Sequence, residues 1–121
     1  LYTVENRSIQ SSGVPRGFVQ ATPTSGANGK PLVIVLHGDG GNGSGIRAAL
    51  PIEASAAGAA VFVYPNAPGG TFEYFTSIGR SREVQFVRDL VMLLRNELNI
   101  DQTRVFLAGF SGGGTMANAL A

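Results

Sequence analysis

The sequence predicts an α/β fold built on a mostly parallel sheet, with an antiparallel amino-terminal hairpin and flanking helices. Three observations carry this. Leu32–Leu36, Ala60–Tyr64 and Val105–Ala108 are short, continuous apolar runs, as expected of parallel strands covered on both faces. Between the second and third, Val84, Val87, Val91, Leu94 and Leu98 recur at helical spacing, with Arg88, Asp89, Arg95 and Glu97 largely between them. That pattern predicts an amphipathic helix over 82–98. Strands and helices alternate along the chain, which is the order of a sheet wrapped by helices.

The remaining elements follow in order. Tyr2–Arg7 and Arg16–Thr22 read as two short strands joined by a polar Ser-Ser-Gly-Val-Pro turn, a hairpin at one sheet edge. Residues 23–31 are a loop of Thr, Ser, Gly and Asn. A Gly-rich loop, His37–Ser44, follows the first central strand. Ile46–Ala57 then reads as an Ala-rich helix stopped by Gly58. Pro65 ends the second central strand, and residues 66–79 form a long loop. Ser81 is the candidate N-cap of helix 82–98. Asp101-Gln102-Thr103 turns into the third strand, and Gly112–Ala121 begins another helix. There is no internal repeat and no low-complexity segment.

At 121 residues and 44% hydrophobic content, the chain reads as one domain, 1–121, or part of one. A net charge of +1 on scattered Lys and Arg argues against nucleic acid or an anionic membrane surface as partner. The absence of cysteine excludes disulfides and thiolate metal sites, and leaves the compartment open. No apolar run approaches the roughly 18 residues needed to span a bilayer. The start, Leu1-Tyr2-Thr3-Val4, has neither an initiator Met nor a signal-like region. It is read as the start of a trimmed piece of something longer.

Gly109-Phe110-Ser111-Gly112-Gly113 follows the third apolar run and opens a helical pattern. Strand, sharp turn carrying a serine, then helix is the form of a nucleophile elbow. A serine hydroxyl is a weak nucleophile, so it must stand clear of the sheet to meet a base and an acyl carbonyl. A bare G-x-S-x-G also arises by chance in Gly-rich turns; the strand before it and the helical spacing after it favour the nucleophile. The loop His37-Gly38-Asp39-Gly40-Gly41-Asn42 directly follows the first central strand. Its position predicts oxyanion donors in the backbone N–H groups of Asp39 and Gly40, with that of Gly112 after the serine. His37 is the only histidine. The order nucleophile, acid, histidine in such sites argues against it as general base and for a residue that, with Gly38, orders the loop.

Phe72, Tyr74 and Phe75 lie in the loop after the second central strand. They are either an aromatic wall of the substrate pocket or a satellite cluster under a long loop. The same glycines allow a rival reading. Gly38, Gly40 and Gly43 satisfy G-x-G-x-x-G between a strand and a helix, as in dinucleotide-binding domains. That fingerprint expects an acid at the end of the second strand, where this chain has Tyr64-Pro65-Asn66.

Together these residues resemble the α/β-hydrolase superfamily, and within it the feruloyl esterases and polyhydroxybutyrate depolymerase-like esterases. The resemblance rests on Leu32–Gly38 with its loop, Val63-Tyr64-Pro65, the helix around Val84-Phe86-Val87, Asp101 with Arg104-Val105, and Gly109–Met116. It implies a serine carboxylic ester hydrolase acting through an acyl-enzyme on Ser111, on a small-molecule or polymer-linked ester. It also implies no metal or other cofactor and an extracellular or periplasmic location. The chain departs from the subgroup, which often has cysteine at Asp39, aspartate near Asn66 and an Asp-Asp pair at Arg82-Glu83. The family's acid and base follow the elbow, and no Asp, Glu or His follows Ser111 here. The expectation is therefore a partial fold, truncated after the elbow helix, with Val105–Phe110 as an unpaired edge that the carboxyl-terminal half would cover. A catalytically incomplete fragment or binding module is the alternative.

Overall fold

Ser12 and Gly13 both adopt positive φ, 51° and 74°. That twist suits a two-residue hairpin turn between right-twisted strands. In the computed structural model, which describes residues 1–38, 40–50, 52–70 and 82–109, this turn joins β1 (Tyr2–Ser11) to β2 (Val14–Pro23). Both strands run further than the sequence suggests. The Ser-Ser-Gly-Val-Pro stretch contributes only Ser12 and Gly13 to the turn, and Pro15 already pairs opposite Gln10.

β3 (Leu32–Leu36), β4 (Val61–Pro65) and β5 (Val105–Gly109) complete a five-stranded sheet in the order β1-β2-β4-β3-β5. β2 runs antiparallel to β4, whereas β3 runs parallel to both β4 and β5. The hairpin thus forms one edge and β5 the other among the described residues. The period of two along the strands divides the core. Leu32, Ile34, Leu36, Val61 and Val63 pack with Phe86, Leu90 and Leu94 of α3 (Arg82–Leu98). On the other face Val35, Phe62 and Tyr64 pack with Val19, Ala21 and Ile46.

The single Ala-rich helix expected over Ile46–Ala57 is two short ones, α1 (Gly43–Ala49) and α2 (Ile52–Ala56). The cause is in the sequence. Leu50 precedes Pro51, and a residue before proline is pushed out of the helical region; Leu50 sits at φ −119°, ψ 99°. Helix α3 matches its apolar periodicity over the full 82–98 span. The elbow helix expected over Gly112–Ala121 lies outside the described residues.

Polar contacts tie α3 to the hairpin. Arg7 makes a two-pronged ion pair with Glu97 at 2.6 and 2.8 Å. Ser11 Oγ donates to Asp89 Oδ2 at 2.7 Å. Arg16 Nη2 meets Glu83 Oε1 at 2.6 Å, with both side chains buried. The Arg16 guanidinium also lies 4.2 Å from the Phe86 ring centroid.

The turn before β5 is held by Asp101. Its Oδ1 accepts from the Thr103 hydroxyl and amide, and its Oδ2 from Arg104 Nε at 2.7 Å. The Thr103 hydroxyl and then Arg104 lower the carboxyl's pKa from 3.8 to about 2. A depressed acid stabilises the fold above its unfolded pKa and ceases to do so as pH falls through the folded value. The Asp101 contribution is therefore expected to fade between about pH 4 and pH 2. Thermal melts of wild type and Asp101→Asn should converge on acidification across that window. A gap that stays constant down to pH 2 would contradict this.

Candidate active site

The register of the adjacent parallel strands β3 and β5 sets the geometry. Leu36, the last residue of β3, pairs with Gly109, the last of β5. The loop that starts at His37 therefore leaves the sheet beside the carboxyl end of β5, about 5 Å away. In open α/β sheets the ligand crevice lies outside the carboxyl ends of the strands.

The loop after β3 is fastened on several sides. His37 is buried, with 1% of its surface exposed. The Ala67 amide donates to its Nε2 at 3.1 Å, which places the ring proton on Nδ1, 2.6 Å from the Gly38 carbonyl. Both ring nitrogens thus engage backbone groups. Gly41 N–H donates to the Gly38 carbonyl at 3.0 Å, and Gly40 N–H to the Gly70 carbonyl at 2.9 Å. The Gly40 amide, a candidate oxyanion donor in the sequence, is thus already engaged in this structure. Gly40 has φ 79°, a conformation that favours glycine. A shallow cavity of about 260 Å³ lies beside the loop, lined by His37, Gly38, Gly41, Asn42 and Ile46 among others.

Asn42 caps α1, its side-chain oxygen accepting from Gly45 N–H at 2.7 Å. Gly43 N–H instead donates to Asn66 Oδ1 at 2.6 Å. In the dinucleotide reading this amide would face a pyrophosphate, and here a side chain occupies it. Gly43 also lies against β4: a Cβ on it would meet the Tyr64 carbonyl oxygen at 2.1 Å. Backbone cannot yield that distance without moving the helix. Gly43→Ala is expected to destabilise the complete gene product by about 1–3 kcal/mol, read from urea unfolding. A loss under about 0.5 kcal/mol would show that α1 is free to shift.

Below the loop, Glu53 gathers Arg47, at 2.7 and 2.9 Å, and the Tyr64 hydroxyl at 2.5 Å. Burial pushes the Glu53 carboxyl up, but the hydrogen bonds from Arg47 and Tyr64 outweigh it and hold the group below its ordinary value. Burial and the Glu53 carboxylate raise the Tyr64 phenol far above its usual range, so it stays protonated as a donor. Neither this cluster nor Asn66 was singled out as part of the site from the sequence. The Arg47–Glu53 pair bridges the break at Pro51, and Asn66 meets Gly43 only through the β3–β4 crossover, so no spacing rule marks either.

Of the other residues singled out by sequence, Asp39, Phe72, Tyr74, Phe75, Ser111 and Gly112 lie outside the described residues. Among the described residues no cluster of three or more His, Cys, Asp or Glu could hold a metal ion. No helix there is long and apolar enough to cross a membrane.

No protein-family model matches the chain. It is 34% identical over 127 aligned positions to feruloyl esterase C of Emericella nidulans, covering 98% of this chain and 45% of that protein. The chain thus spans less than half the length of this relative. Among solved structures, the acetyl xylan esterase from Aspergillus awamori superimposes with TM-score 0.78 at 20% identity, over 97% of this chain and 46% of the other. S-formylglutathione hydrolase from Staphylococcus aureus gives TM-score 0.72 at 16% identity, over 94% of this chain and 49% of the other. At such identities the structural likenesses speak to the fold alone.

Proposed function

We propose that the complete gene product is a serine carboxylic ester hydrolase, since this chain belongs to the α/β-hydrolase-type esterase family and makes up an amino-terminal part of its fold. In this reading the Ser111 hydroxyl attacks the ester carbonyl carbon as its proton passes to a histidine. The tetrahedral oxyanion is held by the N–H groups of Asp39 and Gly112. The C–O bond to the alcohol then breaks, the histidine protonates the departing oxygen, and an acyl-enzyme remains. Water, deprotonated by the same histidine, attacks that acyl group and releases the acid and the serine. In the same reading the histidine and its orienting acid are supplied from outside this chain.

The observation that carries the reading is the pairing of Leu36 with Gly109. It sets the Gly-rich loop beside the strand that leads into Gly109-Phe110-Ser111-Gly112-Gly113. An aromatic acyl ester of the feruloyl type is the favoured substrate, from the name of the relative from Emericella nidulans; a polyhydroxyalkanoate-type polymer ester is the second choice. The family likeness favours secretion.

The carboxyl-terminal half is also the proposed partner of β5. That strand has no neighbour on its outer side among the described residues. Phe106 is 54% exposed. A cavity of about 780 Å³ between α3 and β5 is lined by Val87, Val91, Met92 and Phe106 among others. An apolar edge of this kind calls for a further strand.

A fluorophosphonate probe tests the assignment: the complete gene product should be labelled, at Ser111 and nowhere else. Absence of adduct at Ser111 would overturn it. A second reading applies to the isolated 121-residue polypeptide, which lacks any acid or histidine after Ser111. It is expected to hydrolyse p-nitrophenyl acetate no faster than its own Ser111→Ala variant, as a catalytically incomplete piece would.

A further inference from the structure

The loop after β3 is held partly by its own bonds and partly by the segment after β4. Among the described residues, hydrogen bonds cross between the two. Ala67 N–H reaches His37 Nε2 at 3.1 Å, Gly40 N–H reaches the Gly70 carbonyl at 2.9 Å, and Gly43 N–H reaches Asn66 Oδ1 at 2.6 Å. Only the last depends on a side chain of the β4 segment. Asn66 is itself fixed to the hairpin, its N–H donating to the Gly17 carbonyl at 2.8 Å. Its amide nitrogen would lie 3.4 Å from a Cβ placed on Gly17. One residue therefore spans β2, the end of β4 and the first turn of α1.

We propose that Asn66 is a positioning residue for the loop after β3, setting the placement of its backbone donors through the first residue of α1. This rests on the reading above, that the stretch between Gly38 and Gly40 presents an oxyanion donor. The physical basis is leverage at both ends of a short loop. At its start, the Gly38 carbonyl accepts from both His37 Nδ1–H and Gly41 N–H. At its end, Gly43 lies against the Tyr64 carbonyl and its N–H is held by Asn66 Oδ1. Remove that acceptor and a buried N–H loses its partner, so the loop end moves to find another.

Donors aimed at an oxyanion act more strongly on the transition state than on bound ester. Their misplacement therefore lowers kcat and leaves KM nearly unchanged. A purely structural role would lower melting temperature without that split. Aspartate offers an acceptor oxygen at the same reach, so it should restore what alanine removes.

The experiment compares wild type, Asn66→Ala and Asn66→Asp of the complete gene product on p-nitrophenyl acetate. Fluorophosphonate labelling at Ser111 and amide hydrogen exchange are followed on the same samples. Asn66→Ala is expected to lose about 10- to 100-fold in kcat with KM within about twofold. Exchange at the Gly43 amide should accelerate. Asn66→Asp should return kcat to within about threefold of wild type and restore that protection. If wild type is not labelled at Ser111, the esterase reading fails and the proposal falls with it. If wild type is labelled but Asn66→Ala keeps its kcat, or Asn66→Asp is as slow as Asn66→Ala, the positioning role alone is overturned. Should Asn66→Ala not fold, Asn66→Ser, whose hydroxyl is too short to reach Gly43 N–H, carries the same two outcomes.

Discussion

Replacing Ser111 with alanine in the complete gene product is expected to lower kcat for aryl acetates by about four orders of magnitude or more, with the melting temperature almost unchanged. Without its hydroxyl no acyl-enzyme forms, and only direct attack of water remains. Oxyanion donors and binding still assist that route, so a small residue above the uncatalysed rate is expected. The measurement is steady-state hydrolysis of p-nitrophenyl acetate at matched enzyme concentration, with circular dichroism melts as the control. A variant that keeps a tenth of the wild-type rate would remove Ser111 from the mechanism.

The largest expected loss of stability lies away from this site. Arg16 and Glu83 form an ion pair at 2.6 Å with about 3% of each side chain exposed. Their attraction offsets a large desolvation cost, and deleting one partner leaves that cost on the other. Arg16 already has an unpartnered Nε, so it has little reserve. Glu83→Ala is expected to cost about 3–5 kcal/mol in urea unfolding. The double variant Arg16→Met, Glu83→Leu should recover most of it, since apolar side chains of similar volume carry no desolvation cost and can still cover Phe86. If the double variant is as unstable as Glu83→Ala, the loss comes from packing and not from an orphaned charge.

Apolar pattern made much of the fold legible. β3 and α3 have the bounds that β-branched continuity and helical periodicity predict, Leu32–Leu36 and Arg82–Leu98. Both signals are local and both elements bury a defined face. Legibility fell where one residue overrules a pattern. Pro51 splits an Ala-rich run that otherwise reads as one helix, and Ser12-Gly13 close the hairpin more tightly than the longer polar stretch suggests. The polar braces were not legible. Glu83 looks like an ordinary first-turn acid of a helix, yet it meets Arg16 of β2, 67 positions away. Asn66 follows a strand-ending proline, a position with no chemistry of its own, and gains its partner Gly43 only when β3 and β4 lie side by side. His37 could be placed in its loop by sequence, whereas its link to Ala67 depends on a neighbouring loop thirty positions away.

The strand order has a consequence for how the chain is made. Leu32 of β3 pairs with Val61 on one side and Val105 on the other. On the ribosome β4 emerges first, so one flank of β3 is satisfied early while the other waits for the whole of α3 and then β5. During that interval a wholly apolar strand offers open N–H and C=O groups to any passing chain. Closing such a distant parallel pairing is slow. Translation speed through residues 62–105, together with access to a holdase, should therefore govern soluble yield more than the final stability does.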